Sequence, residues 1–509
     1  MRKFKATAAA LLAVLLPGTA LAAPKPVNDP FVVAMNHEPD TLDPTISVNT
    51  VISRPSLENI IEPLVALDSK GNLVPGLASW KYSDGNKVLT FKIRPGVKFH
   101  SGDPLTADDV IFSHERMKKR SAVYRSRLHN LIGVKKIDNL TVQFIFKAPD
   151  MTFMPPRTLE IVSKAYYDRV GEAAFVAHPV GTGPYEFVSY QPGQAMVLKA
   201  FDGYWGGVPA VKNVRLVYVH EDTTRVAMLE AGEADMILNV PFGDKKRLEQ
   251  EGFKTAEIAV TPTVSVQFTL NNPKDPWHDV RVREAVAHAI DADSIIKGLF
   301  QGIPKHYAAF GPDEVGYDPN LKNYKYDPAL SKKLLAEAGY PHGFKMPLYW
   351  WHGENFGLKE TAEAVALYLQ KVGITAKVSS VDVPEFVAKM RAAKKEPSTE
   401  SWVGITPSPL ADYFDPICAL AFAFWSASPL AQYHNPDFDK LVAKAVQTVD
   451  PIARGNLVRK ATRIMHADVP QIPLWNNIAI YAMKPDVNFV PVPKNLVRAT
   501  IKDVTLSDK

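Results

Sequence analysis

Few residues in this 509-residue chain are placed for bond-making chemistry. No H-E-x-x-H, G-x-S-x-G or Walker A run occurs, and no Cys/His pair has zinc-ligand spacing. His37-Glu38 and His114-Glu115 lack the second histidine a metalloprotease helix needs, and the thirteen histidines are scattered. Gly181-x-Gly183 leads into a strand without a third glycine, so it cannot cradle a phosphate at a helix start. Cys418, the only cysteine, lies in an apolar run and reads as a buried, inert thiol. No disulfide can form within the chain. What remains is binding chemistry. Tyr349-Trp350-Trp351-His352 and the separate Trp402 and Trp425 offer aromatic walls that stack on planar or cationic groups, or else fill cores. His352 offers a hydrogen bond or a metal ligand, or is a loop histidine on the surface.

These residues hang on a mixed succession of strands and helices. Trp80–Ile93 reads as a hairpin turning at Asp84-Gly85-Asn86, and a second hairpin turns at Asp138-Asn139. Thr106 and Asp109 open a helix as a capping-box variant. Strands are expected at 185–190, 194–199, 213–219 and 264–270, the last leading into Asn271-Asn272-Pro273 as a hinge strand. Beyond 279 the chain turns helical, with Asp-Pro openings at 327 and 450. Forty-one prolines are spread along the chain, which implies many ordered turns rather than one tether.

At the N-terminus, Arg2, Lys3 and Lys5 precede an apolar run and Ala20-Leu21-Ala22, the pattern of a secretory signal cleaved after Ala22. The run is too short to span a bilayer of about 30 Å. No cysteine follows the site, so no lipid anchor is expected. The net charge of +5 becomes +2 without those three basic residues, and no basic tract interleaved with aromatics points to nucleic acid.

The segment LTFKIRPGVKFHSGDPLTADDVIFSHERM, Leu89–Met117, resembles the pattern TFxLRxGVxFHxGxPxTAxDVxFSxxR of bacterial extracellular solute-binding proteins of family 5. These serve dipeptide, oligopeptide and nickel ABC importers. Gly181-Thr182-Gly183-Pro184-Tyr185, the Tyr204-Trp205-Gly206-Gly207 element, Ala227 to Asp235, and the blocks beginning Asp279, Tyr326, Asn435 and Ile472 follow the family in order. The likeness covers roughly residues 28 to 485.

The resemblance implies an α/β, bilobal periplasmic-binding-protein fold with hinge strands and an extra α/β domain grafted on the first lobe. On that plan 1–22 is the signal peptide, and 23–52, 203–270 and 480–509 form the first lobe. Residues 53–202 form the extra domain and 271–479 the second lobe. The implied function is the periplasmic, substrate-binding component of an ABC importer in a Gram-negative cell. A peptide or peptide-like solute would be captured between the lobes and passed to the inner-membrane permease. No catalysis, cofactor or metal is implied, and a monomer is expected. Alternatives are a non-peptide solute (an amine, opine-like compound, sugar or metal chelate) and an exported hydrolase.

By motif position Asp412, in Ser408–Pro416, is where the peptide binders hold the ligand's α-ammonium; its other reading is a turn or helix cap. Asp415 is assigned to the turn before Pro416. His352 stands where dipeptide binders place an arginine for the ligand carboxylate, and imidazole lacks that bidentate fork. Trp350, Trp351, Trp402, Tyr413, His37 and Trp425 complete the expected ligand contacts.

Overall fold

The computed structural model describes residues 29–46, 50–121, 124–125, 128–153, 159–351, 357–396, 401–407, 415–492 and 500–507. The expected signal peptide lies outside the described residues.

One ten-stranded mixed sheet runs through the molecule. Its order is Thr375–Val381, Lys345–Trp351, Val403–Pro407, Lys254–Phe268, Gln471–Met483, Met236–Ile237, Phe31–Met35, Asn213–Tyr218, Ala195–Ala200 and Tyr185–Gln191. The two long antiparallel strands at its centre carry the chain between halves. Lys254–Val260 pair with Asn477–Met483, and Val264 onward pairs with both 471–475 and Val403–Pro407. The ladder is irregular between Val260 and Thr263 and again between Val264 and Ser265.

Core membership changes at the same place. Ile258, Ala479 and Tyr481 pack in the core around Val33 and Leu216, whereas Val264, Leu474 and Trp475 pack in the core around Val286 and Leu348. The two halves are therefore separate packing units joined by two strands that bulge between them, the construction a hinge requires. The crossing lies at 260–264 and 475–477, earlier than the expected divisions at 270 and 479. The whole stretch is extended and half-apolar, so the sequence pattern carries no mark of where one core gives way to the next.

A four-stranded antiparallel sheet, in the order Ala78–Ser83, Val88–Ile93, Thr141–Phe146 and Leu131–Asp138, forms the extra domain with the helix Ala107–Arg120. Both expected hairpins are present, and Asp84, Gly85 and Asn86 take left-handed φ of 50°, 58° and 68° at the first turn. Asp109 caps the helix by accepting from the Thr106 backbone N–H at 2.8 Å. Strands 185–191 and 195–200, placed by the sequence reading with this domain, instead extend the first-lobe sheet: 195–200 pairs with Asn213–Tyr218, and 185–191 pairs with 195–200 at the edge.

The motifs that carry the resemblance prove to be the joint between extra domain and first lobe. Buried Glu62 accepts hydrogen bonds from Thr182 (3.0 Å), Tyr204 (2.8 Å) and the Trp205 indole (2.9 Å). Burial raises the carboxyl pKa and these donors pull it back. The His100 ring spans Gly181 and Gly183. The Gly181 N–H donates to Nδ1 at 3.4 Å, and Nε2 donates to the Gly183 carbonyl at 2.9 Å. Such a ring is used neutral, with one nitrogen as acceptor and the other as donor.

Burial pushes His100, His114 and His37 down to about 4. Their folded pKa values lie below the unfolded value of about 6.5, so the unfolded chain takes up protons first as pH falls. The stability they hold is complete above pH 6.5 and is lost progressively from there down to about 4. We expect urea midpoints to be flat from pH 8 to 7 and to fall steadily between pH 6.5 and 4. His100→Gln is expected to flatten part of that slope. A midpoint unchanged at pH 4.5 would contradict the neutral, buried rings.

Candidate functional site

In the first lobe Phe31–Met35 runs parallel to both Asn213–Tyr218 and Met236–Ile237. All three strands therefore end at one crevice, the place where open α/β sheets put their ligands. Arg225, 1% exposed, fixes that rim. It donates to the carbonyls of Val219 (2.8 Å), His220 (2.9 Å), Leu238 (3.2 Å) and Asn239 (3.0 Å), and pairs with Asp222. With its donors spent on two strand ends, its role is to hold the rim. Asn239 then adopts a left-handed φ of 56° and donates from Nδ2 to Asn36 Oδ1 at 2.8 Å. His37 lies next along the chain, edge-on to His220 with ring centroids 6.2 Å apart. Burial, then His220 and Arg225, keep it neutral, so its imidazole can both donate and accept.

From this rim a cavity of about 490 Å³ reaches the second lobe. Asp222, Asn239, Val240 and Phe242 line it from the first lobe, and Ile478 to Ile480 from a hinge strand. Phe300, Trp350, Lys359 and Glu360 line it from the second lobe. Phe242 and Phe300 meet across the lobes with centroids 5.2 Å apart. The walls are apolar and aromatic, while Asp222, Glu360, Lys359 and Asn239 supply a few polar groups, as in small-molecule sites generally.

The residues expected from sequence divide. Trp350 lines this cavity, and His37 follows Asn36, which is bonded to the lining residue Asn239. Trp351 points to the other face of its strand, is 6% exposed and packs on Phe386 at 5.1 Å. Trp402 is a correction. It is 1% exposed, packs on Phe386 at 4.5 Å, and precedes a strand whose far end, Pro407, is the residue beside the hinge. Five residues of strand put it about 16 Å from that end, so core packing accounts for it. Trp425 is half-buried against the cluster of Ile417, Phe424 and Phe438 and does not line the cavity with Trp350.

Asp412, His352 and Tyr413 lie outside the described residues. Their flanks are informative. Strands Lys345–Trp351 and Val403–Pro407 are parallel neighbours, with Trp350 opposite Ile405, so both chain segments leave the sheet at its hinge end. Asp415 caps Pro416–Ala423 by accepting from Ile417 N–H at 3.0 Å and pairs with Arg454 at 2.7 Å. Asn239, Phe242, Phe300 and the hinge-strand residues were not foreseen. A polar residue before Pro241 at a strand end was the one available signal for Asn239.

The sequence model described as bacterial extracellular solute-binding proteins, family 5 Middle, matches residues 72–417. The chain belongs to this family. This family 5 protein is 29% identical over 447 residues to the dipeptide-binding protein of Escherichia coli (strain K12), covering 82% of this chain and 83% of that protein. It is 28% identical over 503 residues to heme-binding protein A of Haemophilus influenzae, covering 90% and 89%. Among solved structures it resembles the ABC transporter-associated periplasmic binding protein DppA from Helicobacter pylori in complex with the peptide STSA. That match has a TM-score of 0.79 at 25% identity, covering 94% of this chain and 98% of that one.

The fold is thus the bilobal one of the family, and the protein is the solute-binding component of an ABC importer. Its relatives are binding proteins rather than enzymes. Among the described residues no helix is long and apolar enough to cross a membrane.

Proposed function

We propose that this protein captures a peptide or peptide-like solute between its lobes in the periplasm and hands it unaltered to the inner-membrane permease. The observation that supports this most is a cavity walled by both lobes and by the hinge strands between them. A solute lying there touches both halves, so its affinity is greater for the closed arrangement and it draws the lobes together. The domain division follows the family plan, adjusted so that strands 185–200 join the first lobe. The protein acts as a monomer without a lipid anchor after cleavage behind Ala22.

In this reading Asp412 accepts charge-assisted hydrogen bonds from the ligand's α-ammonium, next to a segment end fixed by Asp415. Trp350 supplies a stacking wall from the second lobe, and His37 a neutral hydrogen-bonding group from the first. Tyr413 and His352 are further contacts in this reading, while Trp351 packs in the core behind Trp350. Because His352 occupies the position of the dipeptide binders' arginine, the carboxylate end is held less rigidly. A non-peptide solute is the competing reading, favoured by that substitution and by the heme-binding relative.

Isothermal titration with di- to tetrapeptides tests the amine clamp. Micromolar or tighter affinity is expected, about −8 kcal/mol or stronger. Asp412→Ala is expected to weaken it at least about 100-fold, since a charge-assisted pair in a desolvated site is worth about 3 kcal/mol. Acetylating the peptide amine should weaken native binding equally. Equal affinity of both proteins for a free-amine peptide would remove Asp412 from the site.

A further inference from the structure

The extra domain meets the second lobe through Leu73, Trp80 and Tyr82 and, most deeply buried, through one short turn. Met151–Phe153 is a 3₁₀ turn whose two apolar side chains serve different cores. Phe153 packs inward on Phe144 and Phe146 of the four-stranded sheet, with centroids 5.4 and 5.1 Å away. Met151 faces outward, 5% exposed, and belongs to the apolar cluster of the second-lobe helices Pro416–Ala423 and Pro436–Val446, including Ile417, Phe438 and Val442. The Met151 carbonyl lies 3.9 Å from Cys418 Sγ, and Tyr82 of the extra domain donates to Met151 Sδ at 3.9 Å.

The turn is held stiff. Asp150, buried, accepts from Thr152 N–H (2.9 Å) and Thr152 Oγ1 (2.6 Å) with one oxygen and from Asn130 Nδ2 (3.2 Å) with the other. The extra domain is in turn bolted to the first lobe through Glu62, which accepts from Tyr204 and Trp205. The helices beneath Met151 belong to the second lobe: Asn435, the cap of Pro436–Val446, donates to the Asp468 carboxylate (2.7 Å), and Arg283 donates to the Asp468 carbonyl (2.9 Å). Rotation about the strands at 260–264 and 475–477 therefore has to draw Met151 out of its socket.

We propose that Met151 is an interlobe latch, an apolar knob on the extra domain that seats in the second lobe on closure and favours the closed state before any solute contributes. This rests on the lobes moving as proposed above. Methionine suits a contact made and broken repeatedly, because its unbranched thioether fills an irregular socket without a demanding rotamer. A latch of this kind lets a weakly held solute still close the lobes, and its loss taxes the apparent affinity of every ligand alike.

Cys418, 3% exposed beneath the latch and the only thiol in the chain, is a built-in reporter. The test is the rate at which a maleimide labels Cys418 in the full folded protein without added solute, with the radius of gyration measured by X-ray scattering. Met151→Asp is expected to label at least tenfold faster than wild type and to show a larger radius of gyration. Met151→Leu, which keeps an apolar knob, is expected to match wild type. Met151→Ser carries the same expectation as the aspartate variant should the charge impair folding. Wild-type labelling in Met151→Asp or Met151→Ser overturns the latch. So does faster labelling at an unchanged radius, which means local uncovering without lobe opening. No solute enters this comparison, so failure of the peptide titration leaves it readable.

Discussion

Gly181→Ala is expected to be the most destabilising single-methyl change in the extra-domain joint, lowering unfolding free energy by at least about 4 kcal/mol. A Cβ at Gly181 would sit 2.1 Å from the Ile60 carbonyl oxygen and 2.8 Å from Ile61 Cα. Both are backbone atoms, so no side chain can swing aside. The backbone of 181–185 is itself committed. Gly181 accepts from His100 N–H (2.9 Å), Gly183 N–H donates to Ile60, and Tyr185 N–H donates to Asn59, each at 2.9 Å. Moving the chain to admit a methyl group breaks several of these bonds at once and displaces Thr182 from Glu62. Gly133→Ala is the matched control, because a Cβ there meets nothing within 4 Å. Urea denaturation followed by tryptophan fluorescence reads both. A Gly181→Ala midpoint close to that of Gly133→Ala would show that the close approach does not govern stability.

Asp415→Ala should cost about 3–5 kcal/mol, the usual penalty for removing one partner of a buried ion pair. The Asp415 and Arg454 side chains are 3% and 6% exposed, with Arg454 Nε and a terminal nitrogen 2.8 and 2.7 Å from one carboxylate oxygen. Without the carboxylate the guanidinium keeps only the carbonyls of Thr448 (2.9 Å) and Val449 (2.7 Å). The same substitution strips the acceptor for Ile417 N–H at the start of Pro416–Ala423, worth about 1 kcal/mol. Adding Arg454→Met should recover part of the loss, because the two residues share one interaction and their effects cannot add. Chemical denaturation of the two single variants and the double variant closes the cycle. Strict additivity would mean that the pair is not coupled. Because Asp415 fixes the chain three residues beyond Asp412, its loss is also expected to weaken solute binding without touching the solute.

The contrast between Trp350 and Trp402 shows what the sequence could convey. From composition and neighbourhood alone, both are equally good candidates for an aromatic wall. Their difference is set by strand register: Trp350 faces the cavity from the hinge end of its strand, while Trp402 starts the neighbouring strand at the opposite end. Period-two alternation reveals which residues share a face but not which end of a strand meets the second lobe. Hairpins, caps and the Asp-Pro helix starts were legible because their signals are local: turn residues with left-handed φ, and side chains capping backbone within three residues. Arg225, Asn239 and the Phe242–Phe300 contact were not, since each depends on segments far apart in the chain. The most conspicuous motifs do not line the cavity. Gly181, Gly183 and His100 serve the packing of 181–185 against 59–61 and mark the family without marking the ligand.

Native mass spectrometry of the protein purified from a periplasmic extract, then challenged with a mixture of short peptides, addresses the central claim most directly. One discrete added mass per chain is expected, released on denaturation at the mass of the peptide that went in. A protein that never gains mass from any peptide, or that returns the mixture cleaved, would contradict capture of an unaltered solute between the lobes.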